Sequence, residues 1–487
     1  MSPAGAAAAQ PAAPAAPPPA WAWLAPILVL GAVLRSVRLG GGGGLWYDEI
    51  TTLVNYVQQP LARIVTTYDS QNQHLLFSVL ARISTAVFGE SAAALRLPAA
   101  VAGVASLGLV AWFGARIASR REALLAALLL AASYHHVWFS QNARGYTLLL
   151  CGALLGTGFL LDVLEADGVR ARRAVIAYAV AMALAVYTHV TAILLVAGHG
   201  VVWLALLALR RLDSEARWRP LAAFALAGAL SLVAYAPVLG QIIETVTRPT
   251  MAGTAVEWKN PLWFLAETAR GLMAGVPGGV VGLAGGLVVA GAGLASFARR
   301  QGTALALMLV PVAVTAATML VTAHNLWPRL FFFAAGFGAL IAVRGGFALL
   351  QRLVHARAEL AGTVGAVAVA VLSLVTVPRA WRPKQDYQGA RAFVLASANP
   401  GDAIVTVDMT RFPYQRWLRT NWPAAESDSA LASIEAAHVR TWVLVTFPAR
   451  LAAVDSALWA RLEHDYTEAA RFPGTVGGGA VIVKVRS

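Results

Sequence analysis

Charged side chains are scarce in this chain. Lys, Arg, Asp and Glu make up 13% of its 487 residues, against 58% hydrophobic, and the mean hydropathy is +0.64. A water-soluble domain carries about 25% charged residues, so the chain reads as a multi-pass membrane protein. Cysteine is nearly absent. The single Cys151 lies in an apolar stretch, which excludes an intramolecular disulfide and with it a secreted disulfide scaffold. There is no Walker loop, no His-Glu-x-x-His motif and no cysteine pair, so neither ATP hydrolysis nor zincin chemistry is supported. No internal repeat of fixed period is visible. The first twenty residues carry no charge and are almost all Ala and Pro. They lack the positive n-region of a secretory signal and read as a disordered tail, with the next segment a retained span.

What is present is a series of long apolar runs. A helix needs about 20 apolar residues to cross the hydrocarbon layer. Runs of that kind lie near 21–39, 93–117, 122–140, 145–164, 172–188, 190–209, 220–240, 275–297, 302–323, 328–348 and 360–378, which predicts about 11 transmembrane helices. The formal net charge of +14 is spread between them. It is not gathered on one domain, as nucleic-acid binding would require. Alternate loops hold Arg116, Arg120 and Arg121, then Arg170, Arg172 and Arg173, then Arg210, Arg211, Arg217 and Arg219, then Arg299 and Arg300, then Arg344, Arg352 and Arg357. The turns near 141–145, 189 and 324–329 carry one arginine or none. This bias predicts a cytoplasmic N-terminus in the inner membrane, with the 45–92 loop and the C-terminal segment outside.

Within the 45–92 loop, Ile50 to Ile64 and His74 to Phe88 read as short amphipathic helices at the interface. After Pro383 the composition changes. A helix is predicted over 386–397, strands over 403–407, 441–447 and 480–485, and a helix over 455–464. Gly474 to Gly479 read as a hairpin turn. The expected architecture is mainly α: a polytopic membrane domain over 21–380, with interfacial helices in its first outer loop, followed by a small extracytoplasmic α/β domain over 384–487.

Charged, polar and imidazole groups of the outer turns are the candidates for chemistry. Asp48-Glu49 follows the glycine run Gly40 to Gly44, and a carboxylate pair at a membrane edge needs a reason. It offers a general base for an acceptor hydroxyl, or an N-cap for the helix that follows. Asp69 and His74 bound a dense polar run that suits a phosphate or a metal, or a solvated loop. Arg96 opens the second span. Arg144, beside Tyr146, and Arg329, after Trp327, suit phosphate, or serve as headgroup anchors. His189 sits between two spans, as a ligand or as a packed histidine. These groups come from at least five segments, which predicts one outward-facing cavity if the segments pack together.

At these residues the chain resembles the GT-C superfamily, the membrane glycosyltransferases of the bacterial protein O-mannosyltransferase and aminoarabinose-transferase type. The resemblance rests on Asp48-Glu49, on Gly89-Glu90-Ser91 through Leu95-Arg96-Leu97-Pro98, on Ser140 through Tyr146, on Tyr187-Thr188-His189, and on Lys384 through Asp402. It implies a glycosyltransferase that takes a sugar from a polyprenyl-phosphate donor in the bilayer and passes it to an acceptor hydroxyl on a protein, lipid or glycan. The displacement would be inverting, with Asp48 as base and Arg144, Arg329, His74 or His189 beside the leaving phosphate. Some relatives bind a divalent metal ion in this loop region, where this chain carries Gln73-His74. The rival readings are a flippase or secondary transporter for lipid-linked substrates, and a non-catalytic cell-envelope protein. Charges at the outer boundaries rather than at mid-membrane, and no repeat symmetry, favour the enzyme.

Overall fold

The computed structural model describes residues 20–41, 44–70, 72–212, 217–247 and 256–486. The Ala/Pro tail predicted for 1–20 therefore lies outside the described residues except for Ala20, which opens the first helix. A helix covers each predicted apolar segment: Ala20–Ser36, Ala92–Ile117, the pair Arg120–Ala131 and Tyr134–Ser140, Tyr146–Glu165, Gly168–Thr188, Ala192–Ala208, Arg219–Tyr235, Gly279–Arg300, Gly302–Val321, Ala335–Val354 and Ala358–Leu374. Six stretches among the described residues are long and apolar enough to cross a membrane, or up to seven if the bent pair is one span; shorter apolar helices such as Ala192–Ala208 lie among them. Apolar side chains point away from the bundle, with Val281 81% and Val321 86% exposed, which suits a lipid-facing surface.

The Tyr146–Glu165 helix is buried along most of its length. Gly152 and Gly156 face Ala185 and Met182, where a Cβ would collide, so small residues set the close approach of the next helix. His199 accepts or donates within this core, 3.2 Å from both Thr157 Oγ1 and Tyr178 OH.

The Arg120–Ala131 and Tyr134–Ser140 helices meet at 65°. A break inside a membrane bundle leaves carbonyls that need donors. Arg35, 1% exposed, supplies them: its guanidinium donates to the carbonyls of Leu130 and Ala131 at 3.3 Å and to Ser140 Oγ at 3.1 Å. This fixes the direction in which the chain leaves toward residues 141–145.

The predicted Ile50–Ile64 helix is interrupted. Tyr47–Thr51 is α-helical, Thr52–Val57 is a π-turn, and the next helix, Leu61–Thr66, starts after Pro60, which has no N–H to continue a ladder. The apolar side of this loop is not spread on an interface. Ile50, Leu53 and Val57 pack with Leu95 and Phe77, and against Tyr387, Val394 and Leu444 of the C-terminal region.

That region holds a five-stranded mixed sheet in the order β2-β1-β3-β5-β4. The strands are β1 (Ala403–Val407), β2 (Ala424–Ala425), β3 (Thr441–Val445), β4 (Thr467–Phe472) and β5 (Val481–Arg486). β1 and β3 are parallel, with Val405 opposite Val443, and β3 and β5 antiparallel, with Val443 opposite Lys484. β3 is central, and every residue in it is buried. Its Trp442 and Leu444 face the Tyr387–Ser397 helix and the first loop; Val443 and Val445 face Leu431, Leu451 and Leu458 of the covering helices. The period-2 alternation thus builds two apolar layers, one of which docks the sheet on the bundle.

Candidate active site

Gly44 adopts φ +84° beneath Trp417 and Gln388, where a Cβ would collide. Its conformation turns the chain into the Tyr47–Thr51 helix. Asp48 lies inside this helix, whose N-cap is Trp46, so the N-cap reading of Asp48 does not apply. Asp48 and Glu49 are neighbours on a helix and point to different sides. Glu49 is fully buried and takes both branches of Arg96, at 2.7 and 2.6 Å, together with the Ala143 N–H at 2.8 Å. The other Arg96 donors reach the carbonyls of Leu39 and Gly44. Burial alone would raise the Glu49 pKa; the Arg96 charge and hydrogen bonds, the Lys384 charge and the Ala143 N–H outweigh it, and the carboxyl sits below its usual range. Glu49 and Arg96 therefore hold the loop together and turn no free face to a ligand.

Asp48 turns the other way. Its carboxylate keeps some exposure and meets Arg329 Nη1 at 3.4 Å. Arg329 comes from the 3₁₀ turn Pro328–Ala334 and lies over Trp327, 4.8 Å from the ring centroid. Beside them stand Arg144, His74, His189 and Tyr146. Arg144 Nη1 donates to the Asn72 carbonyl at 2.8 Å and to its side-chain oxygen. The His74 ring is 4.4 Å from His189 and 5.4 Å from Tyr146, centroid to centroid. The structure brings Asp48, His74, Arg144, Tyr146, His189 and Arg329 together. Asp69 stands one step back, accepting from Tyr56 OH at 3.2 Å.

The hydrogen-bond roles at His74 are informative. The Gly145 N–H donates to Nδ1 at 2.8 Å, which puts the proton of the neutral ring on Nε2. Nε2 lies 3.0 Å from Arg144 Nη2, and a guanidinium only donates. Two donors thus face each other, and Arg144 Nε is buried with no partner among the described residues. An anionic oxygen would satisfy them together. His189 Nδ1 faces the Thr191 hydroxyl at 2.8 Å.

Burial, then the Arg144 charge, holds both imidazoles below their usual range, His189 at about 3. At neutral pH the positive charge of the site is therefore carried by Arg144 and Arg329, with His74 and His189 as neutral hydrogen-bonding groups. In the unfolded chain His189 titrates near 6.5 and takes up a proton that the fold refuses. Its contribution to stability is thus present above pH 6.5 and is lost as the pH falls toward 3. The melting temperature is expected to drop between pH 7 and pH 5, and His189→Gln to flatten that drop. An equally steep drop in the variant would remove His189 as its source.

The sheet domain closes one side. Tyr47 N–H donates to Gln385 Oε1 at 3.0 Å, and Gln385 Nε2 to Thr446 Oγ1 at 3.0 Å. Lys384 Nζ donates to the Gln141 carbonyl at 2.6 Å and lies 5.0 Å from the Trp138 ring. Burial pulls this amine down to about 7, with Glu49 opposing and Arg96 assisting. Arg450 pairs with Asp408 through two contacts near 3.1 Å. Asp408 and Phe447, which follow β1 and β3, both have positive φ, and Phe412 contacts the Tyr47 ring at 5.9 Å. Lys384 and Gln385 belong to a run already singled out in the sequence, yet Gln141 and Tyr47, which they meet in the bundle and first loop, lie 243 and 338 residues away. Asp408 and Arg450 carry no local signal.

The donor set does not fit a divalent metal ion. Among the described residues no three His, Cys, Asp or Glu side chains converge. His74 is enclosed by donors, and Asp48 faces a guanidinium. Exhaustive chelation is expected to leave activity unchanged; loss with EDTA and recovery with Mg²⁺ or Mn²⁺ would overturn this.

The model of the dolichyl-phosphate-mannose-protein mannosyltransferase family matches residues 72–240. No curated protein sequence matches the chain. Among solved structures, ArnT from Cupriavidus metallidurans in the apo state aligns with TM-score 0.59 at 14% identity, covering 96% of this chain and 98% of ArnT. The same protein bound to undecaprenyl phosphate aligns at 0.56 and 14% identity, with the same coverage. The oligosaccharyltransferase AglB from Archaeoglobus fulgidus, in complex with an inhibitory peptide and a dolichol-phosphate, aligns at 0.56 and 12% identity, over 94% of this chain and 74% of AglB. The fold is that of the GT-C membrane glycosyltransferases.

Proposed function

We propose that the protein transfers a sugar from a polyprenyl-phosphate donor to an acceptor nucleophile, at the outer face of the inner membrane. The observation that carries this reading is the convergence of one partly exposed carboxylate, Asp48, with two arginines and two neutral imidazoles whose unmatched donors suit a phosphate. The similar structures with undecaprenyl phosphate and dolichol-phosphate support a lipid-phosphate ligand.

In the proposed reaction the donor phosphate lies between Arg144 and Arg329, with the His74 Nε2–H as a further donor. Binding of the phosphate draws Arg329 from Asp48. The freed carboxylate accepts the proton of the acceptor hydroxyl as its oxygen attacks the anomeric carbon. The bond from that carbon to the phosphate oxygen breaks, configuration inverts, and the charge on the leaving polyprenyl phosphate is stabilised by the two guanidiniums. The rim of Tyr47, Phe412 and the Asp408–Arg450 pair is where the acceptor would enter.

The test is transfer of radiolabelled sugar from polyprenyl-phosphate donors to candidate acceptors by the reconstituted protein. Arg144→Gln and Arg329→Gln are each expected to reduce transfer by about 100-fold or more, since each removes a charged donor to the leaving group. Consumption of no donor under any acceptor condition would refute the assignment, and unchanged rates in both variants would refute the phosphate site.

A further inference from the structure

At the other end of the bundle a basic cleft opens between two helices. Gly279–Arg300 and Ala335–Val354 touch backbone to backbone at one point: a Cβ on Gly293 would strike the Ile341 carbonyl, and one on Gly345 the Val289 carbonyl. Beyond this crossing the helices separate. The residues between them stay small (Ala295, Ser296 and Ala348), leaving a cavity of about 320 Å³. Four arginines surround it: Arg299, Arg300, Arg344 and Arg352. Arg344 is tied down, donating to Glu122 Oε1 at 2.7 Å and from Nε to Ser296 Oγ at 2.9 Å. Arg299, Arg300 and Arg352 are exposed and have no carboxylate partner among the described residues. The cleft is remote from the Asp48 cluster: Arg352 lies about 25 Å along its helix from Ala335, near which Arg329 sits.

We propose that this cleft binds the phosphate head of an anionic phospholipid in the leaflet opposite the active site. Three free guanidiniums around a cavity with a polar floor are suited to bidentate contact with phosphate oxygens. The source is a lipid rather than a soluble phosphate because the first of these helices presents exposed apolar residues, Leu287 and Val288, about three turns from the arginines on the way to mid-bilayer. A ligand here has acyl chains to lay along them. Basic pockets between membrane helices recognise anionic headgroups in this manner. A scattered positive-inside charge has no such cavity.

The experiment uses the full chain, purified in neutral detergent and delipidated. Native mass spectrometry and thermal melting are followed on adding phosphatidylglycerol, phosphatidylcholine or inorganic phosphate. Phosphatidylglycerol is expected to bind and to raise the melting temperature, with the other two ineffective. The triple variant Arg299→Gln/Arg300→Gln/Arg352→Gln is expected to bind it about tenfold or more weakly. Arg172→Gln/Arg173→Gln, which removes two exposed arginines outside the cleft, is expected to bind as the unmodified protein does. Equal weakening in both variants would reduce the effect to general surface charge and overturn the site. Equal binding of phosphatidylcholine, an equal response to inorganic phosphate, or no binding by any probe would overturn it as well.

Discussion

Asp48→Asn is expected to lower sugar transfer by about 10²–10⁴-fold, the usual range for loss of a general base, while the melting temperature stays close to that of the unmodified protein. Both halves follow from geometry. Asp48 holds its place through backbone: its carbonyl accepts from Thr52 Oγ1 at 2.8 Å, whatever the side chain. The carboxylate makes one long contact, 3.4 Å to Arg329, and it stays partly open to solvent. A single contact of that length between two half-buried groups contributes little to stability. Asparagine keeps the shape and loses the ability to take a proton. Donor binding measured on the variant should persist, because Arg144 and Arg329 remain. Wild-type transfer by Asp48→Asn would end the base assignment, and a variant that no longer binds donor would shift Asp48 from chemistry to substrate positioning.

The adjacent carboxylate should behave in the opposite way. Glu49→Gln or Arg96→Met leaves half of a buried ion pair without its partner, which costs about 3–5 kcal/mol. Arg96→Met also loses the bonds to the carbonyls of Leu39 and Gly44, and in Glu49→Gln a donor NH2 replaces the oxygen that accepts from Arg96 Nη2. The expected result is a protein that melts several degrees lower and is cleaved by added protease within residues 37–47. Arg96→Lys should not restore it, since an ammonium cannot make the forked contact. A Glu49→Gln protein with normal melting but no activity would show that Glu49 belongs to the chemistry after all.

This division between two adjacent acids was only partly legible in the sequence. The pair was conspicuous, and the segments supplying basic partners were visible as turns between apolar runs. What decides the roles is which acid meets Arg96 and which meets Arg329, separations of 47 and 281 residues. No local pattern encodes either. The apolar runs located the helices, because about 20 such residues satisfy their own backbone only in a helix within lipid. β1, β3 and β5 were legible as β-branched runs, their side chains being buried. β4, with Thr467, Glu468, Ala469 and Arg471 exposed at the sheet edge, carries no such signal, and β2 has two residues. The interfacial reading of Ile50 to Ile64 went astray for a related reason. An amphipathic face looks the same in sequence whether it meets headgroups or, as here, a sheet.

The loop bearing Asp48 is held by two segments far apart in the chain: Trp46 Nε1 donates to Asn142 at 3.1 Å, and Tyr47 N–H to Gln385. During synthesis the first contact can form once Asn142 has emerged from the ribosome, and the last only after Gln385 has. The acid is therefore present from the outset, but its loop lacks the Gln385 contact until nearly four-fifths of the polypeptide has been made. A half-made chain would already carry the carboxylate but not the contact that completes its loop.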